Sequence, residues 1–546
     1  MTERKIQTEA FWQDEFAVTD EDVPFIEELF LDEHRPLSLS ELSSSLITHY
    51  YSREENLIRR QLMRGRIYRP NASFAVGEHL VFPQLDFALG TVVGEREGNN
   101  PEYEGFRVIA VEFADGEEAG LPPDGGRLRE SGAPKEVREF AADLKAPHKL
   151  SLPDEVDAAN LLTVSAADLF ESYGDVVQER LASYLAGDPD FTEFRDYWLP
   201  KGMAPDVHIG LLNIAEAMLV MEEKPLAPEQ LLRELDLPKE IPTEVKVFVL
   251  DAKIAQDDRF VDVGDEKQIL WALRRWLPQN AVTSPEHLRY EPVSYDRTVL
   301  DVTHLQIERE IDDEASRLVA PPTAAAAQEL TLILTYPHWR YGTLPLTQRT
   351  RVFFPAGLPG QRTQIAFLDR AGGSEFKGWV VHEHHYVYGL EAWYEANEIP
   401  AGAYIKLERV DDPHTVAVDL IPRRMQREWT RMVTMDAEGG LGFSMQKRPV
   451  ACEYDELCLI DEPDREIGDA LRAQERALDR PLRELVRLVY LELAKLNPSV
   501  TVHGKTLYTA VNVLRRCPPG LVFATLFGVR QFITTGDGYW VLQGGA

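Results

Sequence analysis

The chain has 546 residues, 44% of them hydrophobic and 27% charged, and carries a formal net charge of −33. Its length allows roughly three to five domains with their own cores. Its acidity excludes a protein that grips nucleic-acid phosphates over its whole surface, since such binding draws most of its affinity from neutralising phosphates. The three cysteines, Cys452, Cys458 and Cys517, cannot build a disulfide framework, and the Cys452–Cys458 spacing does not suit a zinc knuckle. The opening residues MTERKIQTEAFWQDEF lack the apolar stretch of a signal peptide, and no segment reaches the length of a membrane span. The expectation is a cytoplasmic protein with no membrane contact.

In chain order, residues 1–22 read as an acidic tail or a leading helix. Residues 23–82 read as a compact module: a helix from Pro24, a second helix opened by the capping box Ser38–Glu41, a third over Ser52–Met63, and a hairpin over Arg64–Phe82. Residues 83–150 change to strand periodicity in VGEHLVF, GTVVGERE and FRVIAVEFADG, with 117–136 as an exposed Gly/Pro-rich insertion. Residues 151–280 begin as a helical segment, then give helices over Pro225–Pro238 and Thr243–Ala255 and a hairpin over Asp258–Leu273. Residues 281–329 form a linker with an acidic helix, His304–Leu318, and the run APPTAAAA. Six short strands fill 330–432 of a β domain bounded at 330–450, expected as a closed or nearly closed barrel with Trp379 and Trp393 inside. After an acidic connector, 451–480, residues 481–546 repeat the helix-plus-hairpin plan, ending in Arg530–Leu542.

A helix followed by a β-hairpin thus occurs three times, the layout of a winged helix-turn-helix, whose recognition helix enters the DNA major groove. The terminal GYWVL (Gly538–Leu542) within 481–546 resembles the winged helix of HARE-HTH proteins and of the RNA polymerase delta subunit. The GTV strand and the V-x-F-x-DG strand resemble small SH3-like barrels of the KOW and Tudor group. Tyr388-Gly-Leu390, Trp393-Tyr394, Asn397 and Ala401-Gly402 resemble plant-type pseudobarrel DNA-binding domains, with Ala403 where that pattern has Asp. The fold class expected is therefore α+β multidomain: repeated winged-helix modules, a small SH3-like barrel and a larger pseudobarrel.

Charge is uneven. Asn56–Gly77 holds no acid but has Arg59, Arg60, Arg64, Arg66 and Arg69. Leu493–Gly536 again holds no acid, with Lys505, Arg515, Arg516 and Arg530. Both windows coincide with a candidate recognition helix and wing, which nominates these residues as contacts to double-stranded DNA. Asn512, three residues before Arg515, has the chemistry to read adenine, or it is a solvated helix residue. The second module is surrounded by acids and is expected to be a protein-contact or spacer module.

No catalytic motif stands out. Asp369 with Glu375-Phe-Lys377 has nuclease residue types in too tight a hairpin, and His382-Glu-His384-His385 on a strand would converge at most two imidazoles. No phosphate-binding glycine motif or nucleophile elbow occurs, so neither cofactor nor metal is expected. Two functions remain: a non-enzymatic DNA-binding protein of transcription or chromosome-linked work, or an acidic scaffold that binds a protein such as RNA polymerase.

Overall fold

The computed structural model describes residues 5–100, 103, 105–113, 137–145, 162–289, 293–316, 318–319 and 327–543. It is a mixed α/β chain with several separate sheets. It divides into two compact units, Met1–Asp206 with Pro238–Ala252, and Val207–Leu237 with Lys253–Ala546. The insertion 117–136 and residues 320–326 of the Ala/Pro run lie outside the described residues. Among the described residues no helix is long and apolar enough to cross a membrane.

The first unit contains α1 (Val23–Glu33), β1 (Leu37–Ser38) and α2 (Leu39–Leu62). The capping box forms as expected: Ser38 Oγ accepts from the Glu41 amide, and the Glu41 carboxylate accepts from the Ser38 amide. The separate helix expected over Ser52–Met63 does not exist, because no Gly or Pro interrupts the run and α2 continues through it. Five strands follow: β2 (Arg66–Ile67), β3 (His79–Phe82), β4 (Ala88–Glu97), β5 (Arg107–Phe113) and β6 (Val137–Ala142), paired in that order.

Arg64–Phe82 is therefore not a hairpin. β2 runs parallel to β3, and Tyr68, Phe74, Leu80 and Phe82 bury with Val92, Ile109 and Val111 in the core of this five-stranded sheet. The unit closes with α3 (Ala166–Gly187) and the hairpin β7 (Phe191–Phe194) and β8 (Tyr197–Pro200), which turns through left-handed Arg195 and Asp196. Nor are the leading residues a tail. Trp12 is fully buried, its Nε1–H donates to the Ile6 carbonyl at 2.6 Å, and Ile6, Phe11 and Phe16 pack with Leu46 of α2 and Leu169 of α3. The apolar content of AFWQDEF outweighs its acids.

Next come α4 (Ile209–Glu222) and α5 (Pro228–Leu231). The following helix, α6 (Thr243–Ile254), falls in the first unit through Ala252. β9 (Phe260–Asp262) and β10 (Trp271–Leu273) form the second hairpin, followed by α7 (Gln279–Val282) and α8 (Val302–Ile311). The acidic helix expected over His304–Leu318 is shorter because Asp312, left-handed, ends α8.

The β domain holds β11 (Glu329–Ile333), α9 (Tyr336–Arg340), β12 (Thr343–Pro345), β13 (Arg362–Asp369), β14 (Glu375–Val381), β15 (Tyr386–Tyr388), α10 (Glu391–Ala396), β16 (Tyr404–Arg409) and β17 (Thr415–Leu420). Its seven strands pair as β11-β16-β17-β13-β14-β15-β12 and curl into a half-barrel, open where β11 and β12 end the sheet, where a closed or nearly closed barrel was expected. Trp393 lies in its core; Trp379 is buried beside Tyr388. His382–His385 form the turn between β14 and β15 rather than a continuous strand, and His382 Nε2 meets the Thr363 hydroxyl at 2.9 Å.

A long hairpin, β18 (Pro422–Met435) with β19 (Leu441–Cys452), leads to β20 (Ile460–Asp461) and α11 (Arg465–Leu478). The chain ends with α12 (Leu482–Ala494), β21 (Val502–His503), α13 (Gly504–Leu514), α14 (Pro519–Gly528), β22 (Phe532–Gly536) and β23 (Tyr539–Leu542).

Three blocks share one element order: helix, strand (in the second block only the bridging residue Leu226), helix, helix, strand, strand. They also share one register. Trp198 pairs with Leu37 on one side and Glu193 on the other; Trp271 with Leu226 and Asp262; Trp540 with Val502 and Thr534. Phe191, Phe260 and Phe532 pair with Pro200, Leu273 and Leu542 in the same relation. Ahead of each Phe, at the same two distances, lie Leu181 and Leu185, Leu250 and Ile254, and Val522 and Leu526, all nearly fully buried. Their four-residue spacing puts each pair on one helix face. In the first block the five-stranded sheet stands between α2 and α3, so its hairpin is β7–β8 and not the Arg64–Phe82 stretch.

Candidate functional site

In each block the helix directly before the hairpin is the one that the winged-helix expectation would present to a target. In the first block this is α3, opened by the capping box Ser165–Asp168. Leu169, Val177, Leu181 and Leu185 face inward, while Asp168, Glu171, Asp175 and Glu179 are exposed. Their spacing of three and four residues makes one acidic stripe. The single base on α3, Arg180, donates to the carbonyls of Phe16 and Gln13. Tyr184 donates to Asp20 at 3.0 Å.

In the third block the corresponding helix, α14, carries no charge. Phe523 and Phe527 meet the His304 ring of α8 edge-on at 5.2 and 5.1 Å, so α8 covers that face. His304 Nδ1–H donates to Asp301 at 2.7 Å, and its Nε2 accepts from Trp540 Nε1–H at 2.9 Å. In the second block, α6 exposes Thr243, Glu244 and Lys253 and buries Asp251.

The nominated arginines of the first unit do not form one cationic patch. Arg59 pairs with Glu55 at 2.8 Å. Arg66 pairs with Glu78 at 3.0 Å, donates to the Ser73 carbonyl and lies over the Phe74 ring. Arg69 is half-buried. Arg60 and Arg64 are exposed near the end of α2, with no ion pair among the described residues.

In the second unit the expectation of an exposed basic helix is overturned. Every residue of α13 is buried, because α8, α9, α11, α12 and α14 pack around it. Lys505 lies between Asp455 at 2.7 Å and Glu310 at 2.6 Å. Burial works against its charge, but these two acids outweigh it and raise the ammonium's pKa. Asn512 is fully buried; its amide donates to the Tyr508 and Cys517 carbonyls, and its oxygen accepts from the Cys517 amide and Arg516. It pins the loop after α13 and cannot reach a base edge. Arg515 pairs with Glu475 at 2.7 Å. Arg516 bridges Asp313 at 2.8 Å and Glu314 at 2.6 Å with its side chain only 12% exposed. Arg530 alone of this group is exposed without an ion pair among the described residues.

Arg515 and Arg516 line a cleft of about 480 Å³ with His287, Glu314, Arg472 and Glu475. Arg472 is paired as well, with Asp469 at 2.6 Å and Glu462 at 3.4 Å, and donates to the Tyr336 hydroxyl at 2.8 Å. Burial would raise the Glu314 carboxyl, but Arg516 and His338 overcome it and hold the group well below the usual carboxylate range. Burial pulls His287 down to about 3, so the neutral ring donates Nε2–H to the Asn512 carbonyl at 2.5 Å. The cleft is thus an internal ionic joint whose arginines are already committed. Among the described residues no group of three His, Cys, Asp or Glu is placed to hold a metal.

The sequence reasoning missed the partners of these bases in the second unit, which are Glu310, Asp313, Glu314, Asp455 and Glu475. The only available signal was the run of acids in the segments read as linker and connector. Comparisons with protein-family models, curated proteins and solved structures give no match for this chain.

Proposed function

We propose that the protein is a non-enzymatic adaptor built on winged-helix modules, which docks on a basic protein surface rather than reading duplex DNA. The repeated element order, with the sheet ordered first-third-second strand in each block, supports the winged-helix assignment. The observation that carries the function is the α3 stripe of Asp168, Glu171, Asp175 and Glu179. A duplex is a dense line of negative charge, and an acidic helix at its groove repels it. Asp168 serves the capping box, but Glu171, Asp175 and Glu179 are like charges one turn apart that work against the helix itself, so stability does not account for them. Complementarity to a basic partner does.

The test is affinity capture on the immobilised full chain from lysate, with and without nuclease. A partner retained after nuclease and eluted by rising salt supports the reading; material lost entirely on nuclease treatment refutes it. A second reading, duplex contact by the first unit, has Arg60 and Arg64 in its favour. It requires that Arg60→Glu with Arg64→Glu abolish duplex binding at low salt.

A further inference from the structure

We propose that the β18–β19 ribbon is a binding platform for single-stranded nucleic acid, separate from the winged-helix faces. Beyond Thr430 the ribbon is anchored: Met432, Val433 and Leu441 are buried in the core of the second unit. From Pro422 to Trp429, opposite Gln446–Cys452, most residues of both strands are exposed. Trp429 is 60% exposed and Met425 62%.

The register sets the chemistry. Trp429 pairs with Lys447 and Arg427 with Pro449, so these four side chains share one pleat face. Lys447 Nζ lies 5.2 Å from the Trp429 ring centroid. The two strands carry Arg423, Arg424, Arg427, Arg431, Lys447 and Arg448 against a single acid, Glu428, in a chain with a net charge of −33.

Three of those bases are already used. Arg423 pairs with Glu428 at 3.1 Å and Arg448 with Asp461 at 3.3 Å, while Arg431 donates to the carbonyls of Glu456, Leu457 and Leu459. Arg424, Arg427 and Lys447 remain exposed with no acid partner among the described residues. An exposed indole, with Lys447 over one face and Arg427 on the same side of the ribbon, and Arg424 in the bulge nearby, combines the two parts of a single-strand site: an aromatic ring for a base and charges for the backbone. An acidic peptide would use the cations and leave the indole face without a partner.

The test is fluorescence anisotropy of a labelled twelve-nucleotide oligothymidylate with the full chain at 50 mM salt. Three phosphate contacts predict a slope of log K against log salt of about −2. Loss of base stacking in Trp429→Ala predicts a fall in affinity of roughly 5- to 150-fold, and Trp429→Phe should retain most of it. Arg424→Ala, Arg427→Ala and Lys447→Ala together should remove the salt dependence. These side chains are solvent-exposed, so the melting temperature should hold in every variant, and melting curves confirm it. No binding at 50 mM salt, or affinity unchanged in Trp429→Ala, overturns the proposal. So does displacement of the oligonucleotide by polyglutamate at equal charge concentration, which would identify an acidic protein as the natural occupant.

Discussion

Arg516→Met removes the cation that lies between Asp313 and Glu314 and keeps most of the side-chain volume. Both acids then stay buried without a cation, Asp313 with the Tyr508 hydroxyl at 2.5 Å and the Ala315 amide at 2.9 Å, and Glu314 with His338 at 3.0 Å. Breaking a buried ion pair from one side costs about 3–5 kcal/mol. For a unit of this size each kcal/mol lowers the midpoint by roughly 1.5 °C, so differential scanning calorimetry should show the transition of the second unit lowered by about 5–8 °C at pH 7. The effect has a definite pH signature. The Glu314 carboxyl is depressed in the folded protein, so its contribution is complete above the unfolded carboxylate value and disappears as pH falls through the folded one. The gap between parent and variant should therefore narrow below about pH 4. Adding Glu314→Gln should restore part of the loss at neutral pH. Arg60→Ala, an exposed arginine, is the control and should change stability by less than about 0.5 kcal/mol. A midpoint for Arg516→Met within 1 °C of the parent at pH 7 would refute the assignment of an internal ionic joint.

Three further outcomes follow from the packing. His287, at about 3, and His382 and His503, at about 4, are held neutral by burial, so the unfolded chain binds more protons below pH 6.5. Stability should be full above that pH and fall between 6.5 and about 3, as urea midpoints across the range would show, and His287→Gln should flatten the fall. Trp198→Ala, Trp271→Ala and Trp540→Ala occupy one position in three blocks; each should cost about 3–5 kcal/mol, read by limited proteolysis, and a block that tolerates the change is not an equivalent repeat. Trp12→Ala should destabilise the first unit by a similar amount, whereas truly tail-like leading residues would leave its melting unchanged.

The second hairpin was legible because it lies a few residues beyond its helix; the third was legible as a hairpin, but α14, the helix directly before it, was not. The first hairpin was not. RGRIYRP…HLVF offers the same Arg, aromatic and glycine signals as a wing, but Leu80 and Phe82 alternate into the core of the five-stranded sheet. The matching hairpin, FTEFRDYWLP, lies beyond that sheet. Varying loop lengths between Phe and Trp hide the kinship further. The acid-free windows were real as sequence and misleading as surface. Lys505 and Arg516 are among the most committed side chains of their unit because their partners arrive from up to 202 residues upstream, and Asn512 is buried on local bonds to Tyr508 and Cys517. Local charge reports composition; only the tertiary fold decides which charges face solvent.

The central claim is that the acidic face of α3 docks a basic protein. Its most direct measurement is the amount of partner captured after nuclease treatment by the chain bearing Glu171→Gln, Asp175→Asn and Glu179→Gln. The matched control carries the same charge change on α1, through Glu27→Gln, Glu28→Gln and Asp32→Asn, all exposed. The account predicts that the α3 variant loses the partner at a salt concentration where the control retains it. Equal retention by the two would contradict it.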